Sequence, residues 1–311
     1  MFALRGLAVS LTFFVLWYFF ISALVLLSWR HLRWLRTTER SLANLLFLLR
    51  VLPLFASVGI TFVFVVPSFQ LLEPRSNNEG MGTIPMALGS VALFFIVWGC
   101  YRVIVAQRRT SRIVASWIEG SRPLNNDGGT IALRLGRQGP PLTLVGMSRP
   151  QVLVSDSTVE LLTEDELHIA LKHEFAHIRS YDNLKKLLFR FSPFPGIGEL
   201  EAAWSHAAEL AADDAAVTNM NDAVDLAAAL VKLSRLVPVD VPPVCTVGFL
   251  TGSLRARVAR LLAWHDSQDM QRQSFPTWAA LPGVVLGVFF VGVNYGTLLA
   301  ITHEATEWLV R

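Results

Sequence analysis

Residues 163–178 read TEDELHIALKHEFAHI, and this stretch decides how the middle of the chain folds. Thr163 followed three residues later by Glu166 is the pattern in which each side chain caps the other's backbone N–H at a helix start. Glu164 and Asp165 put negative charge in the first turn, where the helix dipole favours it. Leu167, Ala170, Leu171, Phe175 and Ile178 then recur at helical spacing, which predicts an amphipathic helix. His173 and His177 lie one turn apart on that helix, about 40° from each other around its axis.

Two imidazoles on one helix face can reach a single metal ion, and Glu174 can reach a water molecule on that ion without ligating it. Zinc lowers the pKa of such a water toward neutrality, and a glutamate can take its proton. The run therefore predicts attack on a peptide carbonyl and later proton delivery to the leaving amine, with one zinc ion per chain. The competing reading is a solvated helix face with two ordinary histidines.

Catalytic zinc needs a third protein ligand and an open position. No histidine stands in 178–183, so the ligand must come from another element. The best candidate is Glu209, in a helix expected over 198–219, where it shares a face with Asp213. The alanines around it would let two helices approach closely. Asp213 is then the candidate to orient His173 or His177 through the second ring nitrogen. His206, three residues before Glu209, is a candidate oxyanion stabiliser, with a surface histidine as the alternative. His168 points elsewhere on its helix and is read as non-catalytic.

Outward from this segment the chain is strongly apolar. Its 311 residues are 53% hydrophobic and 16% charged, against about a quarter charged in soluble domains. Four apolar runs are long enough to cross a bilayer, over about 7–27, 51–72, 85–106 and 278–301. An amphipathic approach from Ser41 precedes the second, which contains Pro53. The first is too long for a signal peptide and is followed by no small-residue cleavage site. Arginines 30, 33, 36 and 40 follow the first run, and 102, 108, 109 and 112 follow the third. Basic loops stay inside, so the expected topology has both termini outside and residues 107–277 cytoplasmic, with 302–311 a short outer tail. A net charge of +3 is no argument for nucleic acid, and no direct binding to it is expected. Cys100 and Cys245 make no disulfide framework or C-x-x-C site.

The inserted segment opens with strands expected over 130–135, 142–145 and 151–154, punctuated by Gly136, Gly139-Pro140-Pro141 and Arg149-Pro150. Further helices are expected over 223–236 and 252–264. Arg255, Arg257 and Arg260 on the last are read as structural or membrane-facing.

Residues 150–155 (PQVLVS), 166–183 and 208–215 (AELAADDA) together resemble the BlaR/MecR-type membrane metallopeptidases. Residues 254–262 (LRARVARLL) are similar to the helix that follows in that family and in its HtpX/Ste24 relatives. The likeness covers about residues 140–265 closely. It implies a mainly α, four-span membrane protein in a bacterial-type plasma membrane. An α+β gluzincin-type zinc peptidase domain would be inserted between spans three and four. It implies His173, His177 and Glu209 as metal ligands and Glu174 as catalytic acid/base. By the same resemblance Gln151, Val152, Leu153 and Val154 would form the sheet edge that binds extended substrate by adding a strand; an ordinary strand is the alternative. The implied partners are membrane lipid and a protein substrate such as a winged-helix repressor of the BlaI/MecI type. Only ten residues follow Ile301 and no Ser-x-x-Lys motif marks a sensor, so covalent β-lactam sensing by this chain is not expected. Two other functions fit the same residues: an HtpX-like protease for damaged membrane proteins, and a non-catalytic signalling protein with a structural metal site.

Overall fold

The computed structural model describes residues 2–34, 38–74, 82–124, 132–136, 139–146, 150–236, 247–248, 254–264 and 281–310. Among these residues the protein is mainly helical, with four helices long and apolar enough to cross a membrane and one small mixed sheet. Helix α1 runs over Phe2–Ser28 and ends in a 3-10 turn, Trp29–Trp34. Helix α2 (Glu39–Ile60), a π turn (Thr61–Val65) and α3 (Val66–Leu72) make one continuous rod. Helix α4 spans Thr83–Ile118.

The rod begins well before residue 51, because Thr38 caps it by accepting from the Ser41 N–H and nothing between breaks the helix. Pro53 sits inside it, and the Ser57 hydroxyl donates to the Pro53 carbonyl at 2.6 Å. Helix α4 likewise passes residue 106 without a break. Its polar extension carries Val114, Trp117 and Ile118 onto the buried side chains Leu135, Val145 and Leu153 of the sheet. The expected boundary between membrane and inserted domain thus lies inside a helix.

The sheet has β1 (Arg122–Leu124), β2 (Ala132–Leu135), β3 (Leu142–Val145), β4 (Gln151–Ser155) and β5 (Val247–Gly248). Their spatial order is β1-β2-β4-β3-β5, with only β2 and β4 parallel. Residues 130–131, expected to begin the second strand, lie outside the described residues, as does Cys245. The expected edge strand is corrected here. Gln151–Val154 is interior, with Val152 opposite Ala132 on one side and Leu144 on the other. Both rows of its backbone groups are used, so no substrate strand can add to it. Its near-continuous apolar run is what a strand covered on both faces needs, and Val152, Leu153 and Val154 are fully buried.

Six helices follow: α5 (Asp156–Leu161), α6 (Glu164–Arg179), α7 (Asp182–Phe191), α8 (Gly198–Ala216), α9 (Met220–Ser234) and α10 (Leu254–Leu262). Helix α8 stops three residues short of Asn219, which instead caps α9 by accepting from the Asp222 N–H. One core joins the sheet to α6, α9 and α10 through Val152, Val154, Ile169, Leu226, Leu230 and Leu261. A second seats α7 and α8 on the helical bundle, where Trp204, Leu200 and Phe189 pack against Val25, Trp29, Leu46 and Val51. The inserted body therefore rests on the end of the bundle where α1 finishes and α2 begins.

Helix α11 covers Leu281–Val310. Residues 302–310, expected as a short outer tail, continue this helix, since no Gly or Pro stops it after Ile301. Residues 278–280 lie outside the described part. The Tyr295 hydroxyl donates to the Val63 carbonyl of the π turn at 2.9 Å, which docks α11 against the rod.

Candidate metal centre

The capping box forms as its spacing requires: Thr163 accepts from the Glu166 N–H and the Glu166 carboxylate accepts from the Thr163 N–H. The helix start is pinned further by Lys232 of α9, whose ammonium donates to Glu166 at 2.6 Å. With the register of α6 so fixed, His173, Glu174 and His177 all face inward and are buried. Opposite them lies α8, where the buried small residues Ala208 and Ala212 let the two helices approach. Glu209 and Asp213 meet the histidines across that contact.

The His173 and His177 Nε2 atoms are 3.2 Å apart. Glu209 places Oε2 3.6 Å from His173 Nε2 and Oε1 3.7 Å from His177 Nε2. Tetrahedral ligands at zinc bond lengths lie roughly 3.3–3.6 Å from one another, so the three side chains are spaced to share one such ion. His173, His177 and Glu209 are thus a buried group that could hold a metal ion. Its two nitrogens and one carboxylate oxygen are the donor types that zinc takes.

Each imidazole is held from behind. His173 Nδ1 lies 3.0 Å from Oδ1 of Asp213, the residue expected to orient one of the two rings. His177 Nδ1 donates to Asp182 Oδ2 at 2.7 Å, a partner the sequence reading did not identify. Asp182 reaches back because Tyr181 adopts a left-handed conformation (φ 54°) between α6 and α7. That bend turns the first residue of α7 toward the last turn of α6. A carboxylate five residues beyond the second histidine was the available signal, but only the geometry of the turn brings it into contact.

Arg257, expected to be structural or membrane-facing, points into the cluster. It is the one arginine of α10 that is fully buried, and its Nε and NH2 donate to Asp213 at 2.8 and 2.6 Å. Its NH1 donates to Glu209 Oε2 at 3.0 Å. Arg255 is exposed, and Arg260 pairs with Asp214 at the edge of the same contact.

Electrostatics follow from this packing. Burial favours the neutral form of every group, but partners decide the outcome. Burial would raise Asp213, yet hydrogen bonds from His173 and Arg257 outweigh it and hold its pKa at about 2. Burial likewise opposes ionised Glu209, and His173, His177 and Arg257 prevail, leaving its pKa below the ordinary carboxylate value. For His173 burial disfavours the imidazolium, but the carboxylates of Asp213 and Glu209 beside it raise its pKa to about 9. The same anions that hold a proton there would hold a divalent cation. Glu174 behaves differently: burial dominates and pushes its pKa up. Both of its carboxylate oxygens are buried without a hydrogen-bond partner among the described residues.

Two expected contributors are not brought into the cluster. His206 is exposed and makes no hydrogen bond to these side chains among the described residues. Gln151–Val154 is interior to the sheet, as described above. His168 is exposed. Compared with known proteins, the chain matches no family model and no curated protein.

Proposed function

We propose that this chain is an integral-membrane zinc endopeptidase that cleaves a cytoplasmic or membrane-proximal protein. The observation that carries the reading is Glu174: a fully buried carboxylate with neither oxygen hydrogen-bonded among the described residues, beside a group able to hold a metal ion. Leaving such a group unsatisfied costs about 1–3 kcal/mol or more. A purely structural metal site has no use for it, whereas a peptidase needs a base at that place. The resemblance of residues 140–265 to BlaR/MecR-type enzymes points the same way.

Zinc held by His173, His177 and Glu209 would supply Lewis acidity, acidifying water and polarising a peptide carbonyl. The chain's own residues do the rest. Asp213 and Asp182 fix the two imidazoles so that both Nε2 atoms face one centre. Glu174, made more basic by burial, takes the proton of the attacking water and gives it to the departing amine. The arginine-rich segments beside the inserted body argue for a cytoplasmic placement, and a winged-helix repressor is the substrate class the resemblance implies. Comparing the proteomes of cells carrying the wild type and Glu174→Gln tests the reading. A substrate should accumulate uncut in the variant while its zinc content stays stoichiometric; a variant that cleaves like the wild type ends the assignment.

A further inference from the structure

We propose that Arg257 is a positioning residue of the metal centre, fixing Glu209 and Asp213 in the orientations that let His173, His177 and Glu209 hold one ion. The inference rests on the metal-holding reading of the cluster but not on peptidase activity. Glu209 and Asp213 stand one turn apart on the same face of α8, where two like charges repel. The guanidinium bridges them, with NH1 on Glu209 Oε2 and the Nε/NH2 fork on the two oxygens of Asp213. Two consequences follow for the ligands. Holding Glu209 through Oε2 directs Oε1 toward His177 Nε2, 3.7 Å away. Holding Asp213 places Oδ1 at 3.0 Å from His173 Nδ1, so the arginine sets the carboxylate that sets the ring.

Arg257 can impose this geometry because α10 is anchored independently of it. Leu261 is buried in the core shared with α9. Arg260 pairs with Asp214 and donates to the Leu210 carbonyl at 3.5 Å. A lysine would keep the charge but lose the fork, since its ammonium offers one point charge rather than a planar array of donors.

The test measures zinc affinity of the purified full-length chain by competition with a chromophoric chelator, together with the visible spectrum of the Co(II)-loaded protein. Arg257→Gln should weaken zinc binding about 10- to 100-fold, the usual effect of losing a residue behind a ligand, and should alter the cobalt bands. Arg257→Lys, the variant more certain to fold, should fall between. Arg260→Gln loosens the same helix without touching Glu209 and should leave affinity and spectrum as in the wild type. Wild-type affinity and spectrum in Arg257→Gln would overturn the inference, as would an equal loss in Arg260→Gln. A wild-type chain that takes up no zinc would instead defeat the metal reading itself.

Discussion

Helix α8 meets a buried arginine near each of its ends, and the two ends are completed in different ways. Near its start, Glu201 meets Arg50 of α2. That guanidinium donates to Glu201 at 2.8 Å, to the Ser192 hydroxyl at 3.1 Å and to the carbonyls of Phe189 and Ser192, each at 2.8 Å. Its donors are spread over neutral acceptors and one carboxylate. Near the other end, Arg257 stands among the three buried carboxylates Glu174, Glu209 and Asp213, of which Glu174 has no hydrogen-bond partner among the described residues. The first network is electrically closed and serves as a seat for the inserted body on the bundle. The second gathers more buried carboxylates than one guanidinium can pair, and His173, its pKa raised to about 9, supplies the further positive charge that a metal ion would replace. One arginine joins two bodies, and the other bridges two carboxylates beside a group that could hold a metal ion.

Four perturbations would separate the two ends. The largest effect is expected for Glu174→Gln, which should lower the cleavage rate about 10²- to 10⁴-fold with zinc content unchanged; retained cleavage would dissolve the distinction between the ends. Next, Arg50→Met should cost about 1–3 kcal/mol of stability, because it leaves the Phe189 and Ser192 carbonyls without their donor while the half-exposed Glu201 turns to water. Unfolding in detergent measures this, and zinc affinity should stay as in the wild type because the seat does not touch the ligands.

Asp182→Asn should weaken zinc binding about 10-fold or somewhat more, because the amide no longer matches the His177 N–H with a charge. Chelator competition reads this change, and Arg50→Met is its control. The smallest effect concerns pH. In the metal-free protein His173 has its pKa raised from 6.5 to about 9, so its contribution to stability is complete below pH 6.5 and is lost as pH rises through about 9. Asp213, lowered from 3.8 to about 2, contributes above pH 3.8 and loses that contribution only as pH falls through about 2. The melting temperature of the metal-free chain should therefore decline between pH 6.5 and 9. The increment gained on adding zinc should widen over the same interval, since zinc no longer competes with a proton. A flat profile would remove His173 from the charged network.

Local signals were legible where a short stretch specifies its own structure. The capping box at Thr163 and Glu166, the spacing of His173 and His177, and the strand 142–145 were all readable because their determinants lie within one turn or one pleat. The spans were recognised by hydropathy, but their ends were not. A helix leaving a membrane needs no change in backbone, so α4 continues past residue 106 and α11 past Ile301. The interior place of β4 was missed because strand order depends on partners far away in the chain. The continuous apolar run of 152–154 was the signal that could have given it.

The sequence by itself determined that the chain is a mainly helical protein with four apolar spans, and that two histidines share a helix face with Glu174 between them. Those are matters of composition and of a fixed 3.6-residue period. Only the tertiary structure decided that Glu209 faces both histidines, that Asp182 returns under His177 through a left-handed residue, and that Arg257 is buried where Arg255 is exposed. Each of these depends on how separate helices dock, and docking is set by the shapes of buried surfaces contributed from distant parts of the chain.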